Sequence, residues 1–302
     1  MTDSKRLHPW SGGADSSLTP IATADVTRAR RRHPIGARLF HLLCRRDASM
    51  PADYGDAHFR AGLASTDRFF ARLPADLAIS GKSVIDYGCG DGSGVAWAAQ
   101  RGARRVVGVD VAKVDFAREK TREHFPEVAE RCEFRQIDDV GELEGERFDI
   151  VLSKNTFEHV ADPAAYVASM KAVLADDGEL VVGFSPLWKS PWGGHIDFMT
   201  RFPWAHLIFR EEVIMAERRR FRPGEDARRF EEIKGGLNRM TLDRFRAIMA
   251  ESGLEPSYLA VNATAEASTQ TRRALLGVMR LLGRIPGLRE YFAFSVHSVW
   301  RR

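Results

Sequence analysis

Between Gly81 and Pro186 short apolar runs alternate with helical stretches, and this alternation limits the fold more than any other feature of the chain. The segments "SVIDYG", "RRVVGVD", "CEFRQID", "RFDIVLSK" and "GELVVGFSP" read as strands. Between them "GVAWAAQRG", "DFAREKTREHF" and "PAAYVASMKAVLADDG" read as helices. Strands separated by helices predict βαβ units and a mostly parallel sheet in an α/β fold. Parallel strands are covered on both faces and lack polar alternation, as "VVGV", "DIVL" and "LVVGF" do.

The flanks divide the rest. Residues 1–34 read as a disordered basic leader, with "RARRRH" at Arg28–His33 a solvated basic run. Residues 35–80 read as N-terminal helices, with Pro74 closing "DRFFARL". Residues 81–186 form the predicted core. Residues 187–238, rich in Trp, Phe, His, Pro and Arg, interrupt the alternation as an inserted lid. That lid has a helical stretch near Ala205–Arg220, whose "ERRR" at Glu217–Arg220 is expected on a wet face. Residues 239–302 return to the core. Thr241 is an expected helix N-cap and Gly253 a stop. A strand in "EPSYLAV", a helix near Thr271–Leu282 and a last strand in "YFAFSVHSVW" follow.

Bulk properties exclude several classes. With 302 residues and 44% hydrophobic content, one large domain or one core with an insertion is expected. Lys+Arg 45 against Asp+Glu 41 gives +4, too small an excess to argue for a nucleic-acid partner. Three cysteines in no metal or disulfide spacing suit a reducing, cytoplasmic setting. The longest apolar run is too short for a membrane span, and the N-terminus lacks an apolar signal core.

"VIDYGCGDGSG" at Val84–Gly94 spends Gly88, Gly90, Gly92 and Gly94 between a strand and a helix. There the backbone must turn tightly and let a ligand approach, and glycine permits both. The ligand would lie at the carboxyl ends of the strands. Asp110 ends the next strand, where an acid can accept from ribose hydroxyls. A dinucleotide site and an S-adenosylmethionine site compete. The dinucleotide pattern G-x-G-x-x-G is broken by Ser93, and Asp86 and Asp91 would sit badly beside a pyrophosphate. They suit an amine and a sulfonium cation.

The chain here resembles the class I S-adenosylmethionine-dependent methyltransferases. "VIDYGCGDGSG" resembles that family's first motif and "VVGVD" its second strand. "QIDDV" stands where the family places an aspartate near adenine. "FDIVLSKNTFEHVADP" and "LADDGELVVGFSP" resemble the fourth and fifth strands with their neighbours. The resemblance implies a Rossmann-like seven-stranded, mostly parallel sheet sandwiched by helices, with the lid after the fifth strand. It implies S-adenosyl-L-methionine as cofactor and S-adenosyl-L-homocysteine as product. Gly88 and Gly90 would lie against the methionine part, with Asp86 near its amino group. Asp110 would take the ribose hydroxyls, Val111 would pack on adenine, and Asp138 or Asp139 would accept from the adenine amino group. Cys89 and Asn155 complete the expected cofactor set.

The acceptor is less constrained. Methyl transfer to a hydroxyl requires in-line placement and removal of a proton, which suits histidine. His195 in "WKSPWGGHIDF" is the leading base, oriented by Asp197, with Trp188 and Trp192 as pocket walls; His159 in "NTFEHV" is the second. His206 in "PWAHLIF" reads as core. Glu158 and His159 also resemble part of the Glu-x-x-Glu-His metal motif of coenzyme Q O-methyltransferases, but Asn155 replaces its first acid, so no metal is assigned. "SKNTF" lacks the Asn/Asp-Pro-Pro-aromatic motif of base aminomethyltransferases, and neither Cys89 nor Cys132 is placed as a nucleophile. A small molecule or saccharide hydroxyl is the expected acceptor. Alternatives are a small-molecule N- or C-methyltransferase, a nucleic-acid methyltransferase and a non-catalytic S-adenosylmethionine-binding protein. The leader and the lid are candidates for a homodimer interface.

Overall fold

A computed structural model describes residues 31–45, 55–112, 114–137, 140–222, 224–264 and 269–302. In chain order its elements are α1 (Pro34–Leu43), α2 (Asp56–Phe70), β1 (Ser83–Tyr87), α3 (Ser93–Gln100), β2 (Arg105–Asp110), α4 (Val114–His124), α5 (Pro126–Ala129) and β3 (Cys132–Gln136). Then come β4 (Phe148–Lys154), α6 (Pro163–Ala172), β5 (Leu174–Phe184), α7 (Ala205–Ile208), α8 (Glu211–Phe221), α9 (Leu242–Glu251), β6 (Glu255–Val261), α10 (Gln270–Leu282), α11 (Arg289–Phe292) and β7 (Val296–Arg301).

The strands make one seven-stranded sheet in the order β3-β2-β1-β4-β5-β7-β6. The β1–β2, β1–β4, β2–β3 and β4–β5 pairs are parallel, and β7 runs antiparallel to β5 and β6. This is the mostly parallel α/β sheet expected from the alternation. The order reverses between β1 and β4, which opens a crevice at their carboxyl ends beside the turn that follows β1.

Strand residues alternate between two apolar layers because the side-chain period is two. Ile85, Tyr87, Val107, Val151 and Val182 share a layer with Phe157, Tyr166, Phe184, Phe245 and Trp300. Val84, Val106, Ile150, Leu152 and Val181 share the other with Phe69, Val95 and Trp97. A third cluster lies apart from the sheet. In it Phe40 and Cys44 of the N-terminal segment meet Ile196, Met199, Val213, Ile214 and Phe230. The 187–238 segment therefore packs around α1.

Local chemistry sets the helix ends. Asp162 caps α6 by accepting from the Ala164 and Ala165 amides, both at 3.1 Å, with Pro163 in the first turn. Thr241 caps α9 by accepting from the Arg244 amide, and Gly253 follows that helix with a left-handed φ of 69°.

Four sequence expectations need correction. The helix expected through Gly178 ends at Ala172. Leu174 already pairs with Phe148, whose amide donates to Val173 O at 2.9 Å, so β5 starts there and irregular pairing absorbs the next residues. Residues 71–80 are not helical, since α2 stops at Phe70, four residues before Pro74. The stretch near Ala205–Arg220 is split by extended backbone at Phe209 and Arg210. Tyr291 and Phe292 belong to α11, and the last strand begins at Val296. The leader up to residue 30 lies outside the described residues, as do Asp138 and Asp139.

Phe157 ties the β4–α6 connection to the sheet. Its ring stacks on Phe184 at 5.4 Å and meets Phe245 edge-on at 5.2 Å. Phe157→Ala is expected to lower stability by about 3–5 kcal/mol through lost burial and a residual cavity. In a urea titration the midpoint should fall at unchanged slope.

Candidate active site

The turn after β1 is built by backbone bonds to β2. The amides of Gly88 and Cys89 both donate to Val109 O, at 2.8 and 3.1 Å. Gly88 takes φ 75°, and a Cβ there would lie 2.3 Å from Thr156 Cγ2. Gly90 also has positive φ, at 54°, but a Cβ there would meet nothing within 4 Å. The first glycine is thus required by a close approach. The second has a left-handed backbone facing open space, which leaves room for a ligand against the main chain.

Asp110 holds this turn. Its Oδ2 accepts from the Gly90 amide at 2.9 Å, and its Oδ1 accepts from the Ala112 amide at 3.1 Å. Asp86 lies at the base of the turn, almost wholly buried, and a Cβ on Gly94 would fall 2.3 Å from its Oδ2. Burial raises the Asp86 pKa to about 7, helped by the charges of Asp110 and Asp91 and opposed by Lys154. Asp91 accepts from the Ser93 amide at 3.0 Å at the start of α3. Three carboxylates thus converge on one glycine turn, a field hostile to a pyrophosphate and favourable to a cation. Burial pushes the Cys89 thiol well above its ordinary value, so Cys89 is a packed neutral side chain. Val111 is half-buried against the first apolar layer. Asn155 has a left-handed φ of 53°, and its amide donates to Gly183 O at 2.9 Å.

A second group of side chains lies after β4 and β5. The His195 ring meets the His159 ring edge-on with centroids 5.3 Å apart. The His195 Nε2 is buried with no hydrogen-bond partner, and the Pro186 carbonyl acts on the ring. Burial lowers the His195 pKa to about 3; the charges of His159, Arg218 and His206 push the same way, and the Pro186 carbonyl opposes them. The imidazole is therefore neutral, with one ring nitrogen free to accept. His159 Nδ1 bonds to Gly236 O at 2.7 Å, which pins the loop. Glu158 is buried beside it, with its pKa raised by desolvation and its Oε2 unpartnered. Asp197 is exposed, so its side chain points to solvent while the Pro186 carbonyl orients His195. His206 is buried, with Nε2 bonded to Trp188 O at 2.5 Å, as its core reading requires. Trp188 packs edge-on to His206 and Phe230.

Arg218 was missed. "ERRR" was expected in water, yet Glu217 and Arg218 are 4% and 6% exposed. Helix α8 is enclosed because α1 and the lid cover it. Glu225 grips Arg218 from two sides, Nε–Oε2 at 2.9 Å and Nη2–Oε1 at 3.1 Å. The Arg218 Nη1 remains buried without a partner, and its charge reaches His195. The unbroken apolar run "VIMA" before "ERRR" was the available signal, since it fills more than one face of the helix.

Glu158 and His159 are not joined by a third metal-type side chain among the described residues. The group with that spacing is Asp56, Glu123 and His124. There Lys120 Nζ lies 2.7 Å from Asp56 and 2.6 Å from Glu123, so an ammonium already neutralises the acids.

Comparison with known proteins places these features in context. A family model described as a methyltransferase domain matches residues 57–258. A ubiquinone biosynthesis O-methyltransferase of Neisseria meningitidis serogroup A is 36% identical over 118 residues, covering 39% of this chain and 48% of that protein. One from Hahella chejuensis is 34% identical over 116 residues, covering 38% and 47%. The chain spans about half the length of these curated relatives. Among solved structures, a magnesium protoporphyrin IX methyltransferase from Synechocystis PCC 6803 with bound SAH is 18% identical with a TM-score of 0.47, covering 92% of this chain and all 100% of that one.

The Asp86 carboxyl gives a pH prediction. Its folded pKa, about 7, exceeds the ordinary 3.8, so over that window the folded chain holds a proton that the unfolded chain has lost. Stability from this group is complete below the unfolded value and falls as pH rises through the folded one. Without ligand, Asp86→Asn should melt close to the parent in acid and above it past neutrality. Thermal melts of both chains across pH measure the divergence.

Proposed function

The chain belongs to the methyltransferase-domain family, whose model spans residues 57–258, and from that membership we propose an S-adenosylmethionine-dependent O-methyltransferase acting on a small molecule with an acidic hydroxyl. The observation that carries the donor half is the open glycine turn clasped by Asp110 over a buried Asp86. When bound, S-adenosylmethionine supplies an electrophilic methyl group on a sulfonium sulfur. Gly88 and Gly90 would line its methionine part and Asp86 its amine. Asp110 would serve the ribose hydroxyls, Val111 the adenine ring, and Asp138 or Asp139 the adenine amino group. Cys89 and Asn155 support the turn and the facing loop.

The acceptor half rests on His195. Its buried, unpartnered Nε2 is suited to accept a hydrogen bond from a hydroxyl and then its proton as the oxygen–carbon bond forms. A pKa near 3 makes it a poor base for an ordinary sugar alcohol. Burial is the main cause of that low value, and the Arg218 guanidinium, with one buried unpartnered nitrogen, adds to it and would favour an oxyanion. A phenol or a similarly acidic hydroxyl therefore fits better than a saccharide. His159 holds the loop, and Trp188 walls the pocket. The O-methyltransferase names of the partly matching relatives agree with this reading.

Two outcomes are expected. Incubation with S-adenosylmethionine and a panel of phenols and saccharides should give a one-methyl mass gain on a phenol. Because so weak a base works below the usual range, His195→Gln should cut kcat by about 10²-fold at most while cofactor affinity holds. Unchanged turnover in that variant would instead favour a carbon or amine acceptor. Because His195 stays neutral down to about pH 3, kcat/KM should show no acid limb near the ordinary histidine value of 6.5. It should rise with ionisation of the acceptor hydroxyl.

A further inference from the structure

The large apolar side chains left exposed among the described residues all fall in three segments: 35–42, 202–208 and 275–291. The long stretch from α2 through β5 contributes none. On α1, Ile35, Leu39 and Leu42 make one strip, with Ile35 and Leu42 exposed to 82% and 76%. On α10, Leu276 and Met279 face the protein, whereas Leu275, Val278 and Leu281 lie uncovered beside them. The apolar arc of α10 is thus wider than the core it meets.

Ring contacts beneath the surface tie the three segments together. Phe40 of α1 meets Phe209 at 4.8 Å, and Phe202 meets Phe209 at 6.4 Å. Trp204 in turn meets Phe292 of α11 at 5.6 Å. The exposed apolar belt thus consists of patches on α1, on the lid and on α10–α11, held to one another by these rings.

Its charge is mainly basic, although two acids of neighbouring segments reach it, Glu212 at His33 and Asp243 at Arg289. The stretches 31–45, 199–210 and 269–292 hold eleven arginines and a single acid, Glu290. Glu290 is buried and accepts from the Leu242 and Asp243 amides. The whole chain has 45 basic and 41 acidic residues, so outside these stretches it is net negative. Arg273, Arg280 and Arg284 are exposed beside the apolar strip of α10.

We propose that this arginine-rimmed apolar belt docks the protein on an anionic lipid bilayer, with α1 and α10 lying in the plane of the interface. Leu, Ile and Val enter the acyl boundary while arginines reach the headgroup phosphates, which is how an interfacial amphipathic helix binds. No helix among the described residues is long and apolar enough to cross a membrane, so the contact is peripheral. Nucleic acid fits less well: single strands are held by stacking on aromatic faces, whereas this belt is mainly aliphatic. The inference does not depend on the acceptor.

Vesicle co-sedimentation of the full chain tests it. Binding to mixed phosphatidylcholine–phosphatidylglycerol vesicles should be at least about tenfold stronger than to phosphatidylcholine alone, and should weaken with salt. Val278→Asp with Leu281→Asp, and separately Arg280→Glu with Arg284→Glu, should each lower that binding by about tenfold or more, with unchanged melting temperature. All four side chains are exposed, so folding is spared. The proposal is overturned if neither vesicle is bound, or if both double variants bind as the parent does. It is equally overturned if sedimentation velocity shows a dimer that the apolar pair dissociates while vesicles bind neither form.

Discussion

The hydrogen bond from the Gly90 amide to Asp110 Oδ2 joins the ends of the first two strands beside the β1–β4 gap, where sheet order reverses. The turn it closes must be left-handed at Gly88 and Gly90, and must leave its ligand-facing side bare. Everything on the donor side follows from that geometry. The start of α3 lies against Asp86 because Gly94 has no side chain to collide with it. Asp86 is buried and easily neutralised for the same reason. A cationic ligand arriving at the turn would restore its charge, which couples binding to ionisation of one buried acid.

The acceptor side depends on a different construction. The 187–238 segment builds a small core with α1, and inside that core it encloses the Arg218–Glu225 pair; Glu217 is buried too, but its partners His41 and Arg220 are exposed. Burying such pairs is costly unless geometry compensates, and Glu225 makes two bonds to Arg218. The reward is position. A cation and a neutral imidazole, each with one unpartnered nitrogen, are kept close enough for the one to shift the other's pKa.

Much of the fold was legible because the period of the apolar pattern is a direct consequence of backbone geometry. The five parallel strands, the Thr241 cap and the Gly253 stop could be read that way. The glycine turn was legible for a related reason: a left-handed turn demands glycine, so its sequence is conspicuous. What escaped were features set by distant partners. The early start of β5 is determined by pairing of Leu174 with Phe148. The burial of Arg218 is determined by α1, some 180 positions earlier in the chain, and nothing in "ERRR" itself records that cover. The partner of His195 is a backbone carbonyl, Pro186, whereas the sequence suggested its near neighbour Asp197. A carbonyl carries no residue-type signal.

What the acid-flanked turn binds decides the chemistry of the whole site. Isothermal titration calorimetry of the purified chain with S-adenosylmethionine, S-adenosylhomocysteine and a nicotinamide dinucleotide is the most direct measurement. Saturable binding of the first two, with no heat from the third, is the result expected from three carboxylates around an open glycine turn. Tight uptake of the dinucleotide with neither sulfur compound bound would contradict it.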